Sequence, residues 1–273
     1  MFKSQAKIIA IANQKGGVGK TTTCVNLAAS LVSKGAAVLV VDCDPQGNAT
    51  MASGVNKFEL KKTICQVLID NVDITETVIT KTTGAYHLIP SNEDLTAAEV
   101  KLLDYLAREY RLRNALAEVI GLYDYILIDC PPSLNLLTVN AMSAADSILV
   151  PLQCEYFALE GLTLLIDTVD QLAHAVNPNL KLEGILRTMY DNRNRLCADV
   201  SQELKSNFGA LVYDTIIPRN VRLAEAPSYG KPALYYDKNS PGAKAYCALA
   251  DEMLAKDPDS AHLHASSAVP THN

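Results

Sequence analysis

The sequence predicts an α/β fold in which a doubly wound, mostly parallel sheet carries helices on both faces. Short apolar runs at residues 8–12, 36–41 and 123–129 have the length and composition of buried parallel strands. Stretches with helical spacing of apolar residues separate these runs, and such alternation is typical of crossover units in a parallel sheet. No repeat and no linker divides the 273 residues, so we expect one domain over residues 1–256.

The predicted elements alternate in a regular order along the chain. The first half gives a strand and helix at 8–12 and 24–31, a strand at 36–41, a short helix at 63–69, a strand at 86–90 and two helices between 95 and 120. The second half gives strands at 123–129, 147–151 and 182–186, and helices at 134–144, 158–175, 195–208 and 243–256. Gly209 suits the end of the helix before it.

Composition narrows the classes of protein. Residues 257–273 are polar, contain three of the five histidines and are expected to be a disordered tail. No apolar run approaches the roughly 18–20 residues that span a bilayer, and the first residues lack the apolar core of a signal peptide. The seven cysteines are scattered without a CxxC pair, which favours reduced, buried thiols. We therefore expect a cytoplasmic protein without membrane attachment.

One glycine-rich stretch, residues 15–22, has the context of a phosphate-binding loop. It follows a predicted strand and precedes a predicted helix, so its backbone N–H groups and the helix dipole can surround an anion. Lys20 supplies a positive charge for the β- and γ-phosphates, and the Thr21 hydroxyl is placed to bind Mg²⁺. Gln14 stands where the usual pattern has a glycine, and an additional lysine, Lys15, begins the loop.

Two aspartates follow predicted strands and complete this chemistry. Asp44 lies just after the strand at 36–41 and could orient a water molecule, although in isolation it could simply cap the Pro45 turn. Asp129 ends the strand at 123–129, which is the Walker B arrangement for holding magnesium. Ligands of open α/β sheets lie beyond the carboxyl ends of the strands, so both carboxylates should share an edge with the phosphate loop.

These motifs together resemble the deviant Walker A ATPases. Within that group, the runs at 155–161, 188–191 and 217–228 are similar to the small ParA/Soj chromosome-partition ATPases, and the resemblance covers almost everything from Ala6 to Leu254. It implies a P-loop ATPase that uses ATP and Mg²⁺. It also implies that two subunits enclose two ATP molecules, with Lys15 reaching the phosphates bound by the partner subunit.

The resemblance implies further roles for individual residues. Asp44 would position the attacking water and join Thr21 and Asp129 in supporting the metal ion, and Lys15 and Lys20 would take part in hydrolysis. The remaining nucleotide-binding residues would be Gly16, Gly17, Val18, Gly19, Thr22, Met189, Pro218 and Asn220. The last three of these would surround the adenine.

The same resemblance implies nucleic-acid and protein partners. The net charge of −6 argues against nucleic acid for the whole chain, but residues 181–238 carry 9 basic and 7 acidic residues. The expected contacts to non-specific double-stranded DNA are Arg195, Lys205, Arg219, Arg222 and Lys231. For Arg219 and Arg222 the alternative is packing around the adenine pocket. A ParB/Spo0J-type protein would stimulate ATP hydrolysis, and the protein would associate with the nucleoid.

Three other functions share parts of this pattern. A MinD-like cell-division ATPase resembles a family that ends in a basic amphipathic helix, whereas residues 257–259 here are Asp, Pro and Asp. A metabolic enzyme of the same fold would need a substrate pocket or cysteines for an iron–sulfur cluster, and the sequence indicates neither. A regulator that no longer hydrolyses nucleotide is disfavoured by the presence of Asp44 and Asp129.

Overall fold

The computed structural model describes residues 5–260, 262 and 263. Its strands are β1 Lys7–Ile11, β2 Val38–Asp42, β3 His87–Ile89, β4 Tyr125–Asp129, β5 Ser147–Gln153, β6 Lys181–Tyr190 and β7 Val212–Pro218. Its α-helices are α1 Lys20–Ser33, α2 Asn48–Ala52, α3 Ile64–Asp70, α4 Asp94–Leu102, α5 Arg111–Leu116, α6 Leu136–Ala144, α7 Ala158–Ala175, α8 Arg195–Phe208, α9 Val221–Glu225, α10 Ala233–Tyr236 and α11 Pro241–Lys256.

The strands form one sheet with the order β3-β2-β4-β1-β5-β6-β7. Every pairing between neighbouring strands in it is parallel. The first strand lies at the centre of the sheet, β2, β3 and β4 lie on one side of it with β4 next to β1, and β5, β6 and β7 follow in order on the other side. This is the predicted doubly wound α/β fold, with a sheet that is entirely parallel within the described residues.

Two hydrophobic cores cover the two faces of the sheet. One core packs α3 to α8 against alternate strand residues such as Ile8, Ala10 and Ile128. The other packs α1 and α11 against the opposite set, including Ile9, Ile11 and Leu127. Successive side chains of a strand point to opposite faces, so strands covered on both sides must be apolar almost throughout. That requirement explains the continuous apolar runs in the sequence.

Most predicted elements are confirmed, and the differences have local causes. Helix α6 begins two residues later than predicted, because the Asn135 side chain accepts a hydrogen bond from the Thr138 N–H at 3.1 Å and caps the helix there. The predicted strand at 182–186 extends to Tyr190 and pairs with β7 along that length. The two helices predicted between 95 and 120 are separated by a turn in which Ala107 has φ 51°.

The ordered chain continues past Lys256, where the sequence predicts a disordered tail. Residues Pro258–Ser260 form a 3₁₀ turn, and the Tyr125 hydroxyl donates a 2.6 Å hydrogen bond to Asp257. Leu263 is buried in the core beside α11. The predicted boundary is therefore too early for residues 257–260, 262 and 263, and the other residues predicted to be disordered, 261 and 264–273, lie outside the described part of the chain. Within that part, no helix is both long and apolar enough to cross a membrane.

Candidate functional site

The carboxyl ends of three central strands meet at one edge of the sheet. In the strand register Asp129 at the end of β4 is paired with Ile11 at the end of β1 and with Asp42 at the end of β2. The glycine-rich loop leaves β1 at this point, and Asp44 follows β2. The predicted loop and both predicted carboxylates therefore share one site, as the position of each residue at a strand end indicated.

The loop of residues 13–19 leads into a helix whose N-terminus is open. Gly17 and Gly19 have φ of 75° and 91°, a backbone conformation that L side chains rarely adopt. Gly19 is the N-cap of α1, and neither a capping side chain nor an acidic residue in the first turn occupies the free N–H groups. The start of this 14-residue helix is thus available for an anion.

Lys20 is a buried cation at the bottom of this loop. Its side chain is almost fully covered, and its Nζ donates a 3.2 Å hydrogen bond to the Lys15 carbonyl oxygen. Burial lowers the pKa of Lys20, while the negative charges of Asp129 and Asp44 act in the opposite direction. An anion in the loop would place a compensating charge beside this ammonium group.

Asp129 is fully buried, and neither of its carboxylate oxygens has a hydrogen-bond partner among the described residues. Burial raises its pKa well above the usual range, and the nearby Asp42 adds to the rise. A buried carboxylate with free lone pairs fits a bound cation. In the described residues no three His, Cys, Asp or Glu side chains are placed to hold a metal ion together, so phosphate and water oxygens would complete the coordination, as is common for Mg²⁺.

Asp42, the last residue of β2, and Asp44, which follows the strand, have different surroundings. Asp42 accepts hydrogen bonds from the N–H and hydroxyl of Thr50 at 2.8 and 2.7 Å, and it orders the turn; burial raises its pKa to about 6. Asp44 accepts the Gln46 N–H through Oδ1 at 2.9 Å, which is the turn-capping contact considered in the sequence. The described residues donate no hydrogen bond to the other oxygen of Asp44, so capping leaves that oxygen available.

Two residues that the sequence analysis missed hold the loop in place. The Thr188 hydroxyl, on β6, donates a 2.7 Å hydrogen bond to the Val18 carbonyl. Asn13 accepts the Lys15 N–H at 2.9 Å and donates to the Pro151 carbonyl at 2.8 Å. Asn13 could have been found as a turn-forming side chain directly after β1. Thr188 carried no such signal, because its partner is 170 positions away in the chain.

A cavity of about 150 Å³ opens beside the loop. Its lining is largely apolar, with a few polar groups, which is the usual composition of a ligand site. Thr22, Met189, Pro218, Asn220 and Tyr246 are among its lining residues. Asn220 Oδ1 is buried without a hydrogen-bond partner in the described residues, and Met189 has φ 50°, a strained value for a side-chain-bearing residue. The residues predicted to surround adenine are thus brought together beside the phosphate loop.

The cysteines near the site are chemically quiet. Cys24, Cys43 and Cys130 are buried, and no disulfide joins any of the described cysteines. Burial raises the pKa of the Cys24 and Cys43 thiols, and the neighbouring carboxylates add to the rise. Thiols that stay protonated are poor nucleophiles and poor metal ligands. These residues therefore behave as small apolar side chains, as the scattered cysteine pattern predicted.

The five basic residues predicted to contact DNA divide into two groups. Arg222 forms ion pairs with Glu225 at 2.8 Å and Asp237 at 3.4 Å, and Lys205 pairs with Asp214 at 2.9 Å. The other three are exposed and have no salt bridge within the described residues: Arg195, Arg219 and Lys231. Arg219 also lines both the cavity beside the loop and a wider open groove. The packing alternative concerned Arg219 and Arg222, and it agrees with the place of Arg219 beside the cavity, whereas Arg222 lines the wider groove and is paired with acidic residues.

Comparison with known proteins gives relatives along nearly the full length of the chain. The AAA domain model matches residues 6–182. The chromosome partitioning protein ParA of Caulobacter vibrioides is 46% identical over 261 residues, which cover 95% of this chain and 98% of that protein. The sporulation initiation inhibitor protein Soj of Bacillus subtilis is 50% identical over 249 residues, with coverages of 91% and 98%.

Solved structures share the fold. Cobyrinic acid a,c-diamide synthase from Mycobacterium smegmatis with bound ATP analog and magnesium has a TM-score of 0.80 at 36% identity, covering 98% of this chain and 100% of that one. The septum site-determining protein MinD of Pyrococcus horikoshii, complexed with Mg-ADP, has a TM-score of 0.75 at 24% identity, with coverages of 94% and 98%. At that identity the MinD likeness concerns the fold alone.

The sequence relatives and the site lead to the same assignment. The AAA domain model matches more than half of the chain, and the ParA and Soj proteins align along more than nine-tenths of it. The loop, the buried lysine and the strand-end carboxylates occupy the positions that a P-loop ATPase requires. The chain belongs to the ParA/Soj family of P-loop ATPases.

Proposed function

We propose that this protein is an ATP-dependent DNA-partitioning ATPase that uses Mg²⁺. The single observation that carries the proposal is the open N-terminus of α1 next to a buried lysine and a buried carboxylate without partners. An open helix N-terminus beside a buried lysine favours an anion, and a buried carboxylate without a hydrogen bond favours a cation, so a metal-bound triphosphate suits both parts of the site. The ATP analog and magnesium bound by a structural neighbour support the choice of ligand.

In the proposed complex each group of this chain has a defined task. The N–H groups of the loop and Lys20 hold the phosphates, and Thr21 and Asp129 support the metal, with Asp44 near its hydration shell. Bound Mg²⁺ neutralises charge on the phosphates. The adenine occupies the cavity beside Met189, where the free oxygen of Asn220 can accept a hydrogen bond from the amino group of the base.

Hydrolysis is assigned to a water molecule oriented by Asp44. Its capped turn fixes the carboxylate next to the loop, and the oxygen that is not used for capping can accept a proton from the water. We propose that the basal rate is low, because the transition-state charge is assigned to Lys20 and the N–H groups of the loop, and no arginine of this chain is assigned to it. A ParB-type partner would raise that rate.

ATP is proposed to control assembly into a homodimer. Lys15 is exposed at the start of the loop and can extend beyond its own subunit to the phosphates of a second one. The surface of a single subunit, with three exposed cations that form no salt bridge within the described residues, should bind duplex weakly, in the range of roughly 10⁻⁴–10⁻⁶ M or above at physiological salt. Two such surfaces fixed in one dimer make the second contact intramolecular and can add a factor of about 10²–10⁴.

The test is binding to non-specific duplex with ATP, with ADP and without nucleotide, over a salt series. We expect measurable binding with ATP only, and weakening in proportion to the logarithm of the salt concentration. Equal binding in all three nucleotide states, or none in any, would contradict the partition function. A parallel measurement on anionic vesicles separates the MinD-like alternative, which predicts ATP-dependent membrane binding instead.

A further inference from the structure

We propose that Glu155 acts as an intramolecular latch on Lys15, holding this lysine inside its own subunit until a second ATP-bound subunit arrives. This inference rests on the proposed function, in which Lys15 contacts the phosphates of a partner. It concerns what Lys15 does before that contact forms. It also assigns a regulatory role to a residue of the β5–α7 loop, which contributes none of the groups discussed above.

The structure records the latch as an ion pair between Lys15 Nζ and Glu155 Oε2. Both side chains are about half exposed, at 53% and 45%, so solvent can reach the pair and the pair can open. Glu155 sits in a tight turn, where its N–H donates to the Gln153 carbonyl and its carbonyl accepts the Ala158 N–H, both at 2.9 Å. The turn thus presents the carboxylate directly to the phosphate loop.

The backbone of Lys15 is fixed while its side chain can move. Asn13 accepts its N–H at 2.9 Å, and Lys20 Nζ donates to its carbonyl oxygen at 3.2 Å. The Lys15 ammonium group therefore has two alternative anionic partners within reach of side-chain rotation: the carboxylate of its own subunit and the phosphate of another. Each contact draws the ammonium group towards a different anion, so we expect the two contacts to compete.

The latch lies on the surface where association would occur. Tyr156 and Phe157 follow Glu155 directly, are 75% and 69% exposed, and contact each other edge to face at 4.9 Å between ring centroids. Exposed aromatic pairs of this kind are typical of protein contact sites. A second subunit that covers these rings would reach Lys15 at the same time. Opening of the latch and formation of the dimer are therefore coupled at one loop.

The expected size of the effect follows from the exposure of the pair. Exposed ion pairs contribute little, so removing this one should change the dimer dissociation constant by about two- to fivefold. Removing an ordinary interface contact raises the dimer dissociation constant, whereas removing this pair should lower it. Loss of Glu155 frees Lys15 and should tighten the dimer. The effect should also shrink at high salt, because the latch is screened.

The test uses the full chain with Mg²⁺ and a non-hydrolysable ATP analogue, and measures the dimer dissociation constant by sedimentation. Glu155→Gln should dimerise two- to fivefold more tightly than the wild type. Glu160→Gln is the matched control, since it makes the same charge change on an exposed residue of α7 that has no salt bridge within the described residues. Weaker or unchanged dimerisation of Glu155→Gln would overturn the latch.

A double-variant cycle tests whether the effect passes through Lys15. In a Lys15→Ala background, Glu155→Gln should have no effect on the dissociation constant. An equal gain with and without Lys15 would overturn the latch and leave the proposed function intact. If Lys15→Ala dimerises as tightly as the wild type, both the latch and the proposed role of Lys15 fail. The three results are distinguishable in one set of measurements.

Discussion

Charged side chains are paired differently in two regions of this protein. The nucleotide edge is the edge of the sheet that carries Lys20, Asp44 and Asp129, and the basic surface is the set of cations predicted to contact DNA. At the nucleotide edge, Lys20 and Asp129 are buried, and the carboxylate has no hydrogen-bond partner within the described residues. On the basic surface, Arg222 and Lys205 are exposed and already paired with acidic residues. A buried carboxylate without a hydrogen bond favours a bound cation, whereas cations in exposed ion pairs already have an acidic partner within the protein.

The fold fixes the positions of the charged groups at the nucleotide edge, but it does not fix those of the surface cations. Strand ends fix the positions of Asp42 and Asp129, so these groups converge in any chain with this sheet order. Surface cations on α8 and α9 have no such constraint, and their partners depend on which acidic residues happen to be near. We therefore expect substitutions at the nucleotide edge to have larger effects than substitutions on the basic surface, and the following predictions test that order.

The largest effect is expected for Asp44→Ala. Removing the group proposed to orient the attacking water should lower the rate of ATP hydrolysis by about 10²–10⁴-fold. ATP-driven dimerisation and duplex binding should remain, because the loop and Lys20 are unchanged. The rate of hydrolysis is measured as phosphate release in the presence of the stimulating ParB-type partner. If the variant no longer forms a dimer with ATP, Asp44 has a structural role and the assignment is wrong.

Lys20→Ala should weaken ATP binding by at least about 100-fold, because it removes the charge-assisted contact to the phosphates. Titration with a fluorescent ATP analogue and Mg²⁺ measures the loss. Lys34→Ala is a suitable control, since Lys34 follows the other end of α1 and pairs with Asp251 at 2.6 Å. Comparable loss in both variants would point to damage to the helix rather than to the site.

Asp129→Asn should stabilise the protein without nucleotide and abolish its further stabilisation by Mg²⁺ and ATP. The folded-state pKa of Asp129 is raised above the ordinary 3.8, so the wild type loses stability as the pH rises above about 4. The variant lacks this loss, so its advantage in unfolding free energy should grow as the pH rises from about 5 to about 8. Urea unfolding at pH 5 and pH 8 provides the measurement.

Asp191→Asn should change the unfolding free energy at pH 8 in the opposite direction to Asp129→Asn. The Arg193 side chain lowers the pKa of Asp191 from the ordinary 3.8 to about 2. The ionised group therefore contributes stability above about pH 4, and this contribution is lost as the pH falls from about 4 to about 2. Its replacement should therefore be slightly unfavourable at pH 8. If both variants shift the unfolding free energy in the same direction at pH 8, burial of Asp129 is not the cause.

The smallest effects are expected on the basic surface. Arg219→Gln should reduce the salt dependence of duplex binding by a slope of about two, one for each subunit of the dimer. Arg222→Gln, its neighbour in sequence, should change that slope by much less, because Glu225 and Asp237 already neutralise its charge. Binding isotherms over a salt series compare the two. A larger effect for Arg222 would reverse the assignment of contacts.

The sequence was most informative where chemistry coincides with strand ends. The loop at 15–22 and Asp129 were predictable because a phosphate site needs glycines, a lysine and a carboxylate at fixed places after strands. Helix α7 was predicted from its first to its last residue by its apolar spacing. The contact between Thr188 and Val18 was not predictable, because it depends on the order of strands in the sheet and not on local pattern.

The salt bridges of the basic surface were also beyond sequence reasoning. Arg222 is three residues from Glu225, a spacing that permits a helical ion pair, but Asp237 approaches only through the fold of α10. Asp214, which pairs with Lys205, lies on a different element from it. Counting basic residues in a segment therefore overestimated the charge that is available to a polyanion, since part of it is neutralised within the protein.

The position of Tyr246 has a consequence for protein synthesis. This residue of α11 is buried, its hydroxyl lies 3.1 Å from the Thr23 hydroxyl of α1, and its ring lines the cavity beside the phosphate loop. Helix α1 thus packs against a helix whose contact residue lies 223 positions later in the chain. Because the ribosome releases the chain from the N-terminus, the loop at residues 15–22 emerges long before its surroundings are complete. A nascent chain should gain its affinity for nucleotide only when α11 has left the ribosome and Tyr246 lines the cavity.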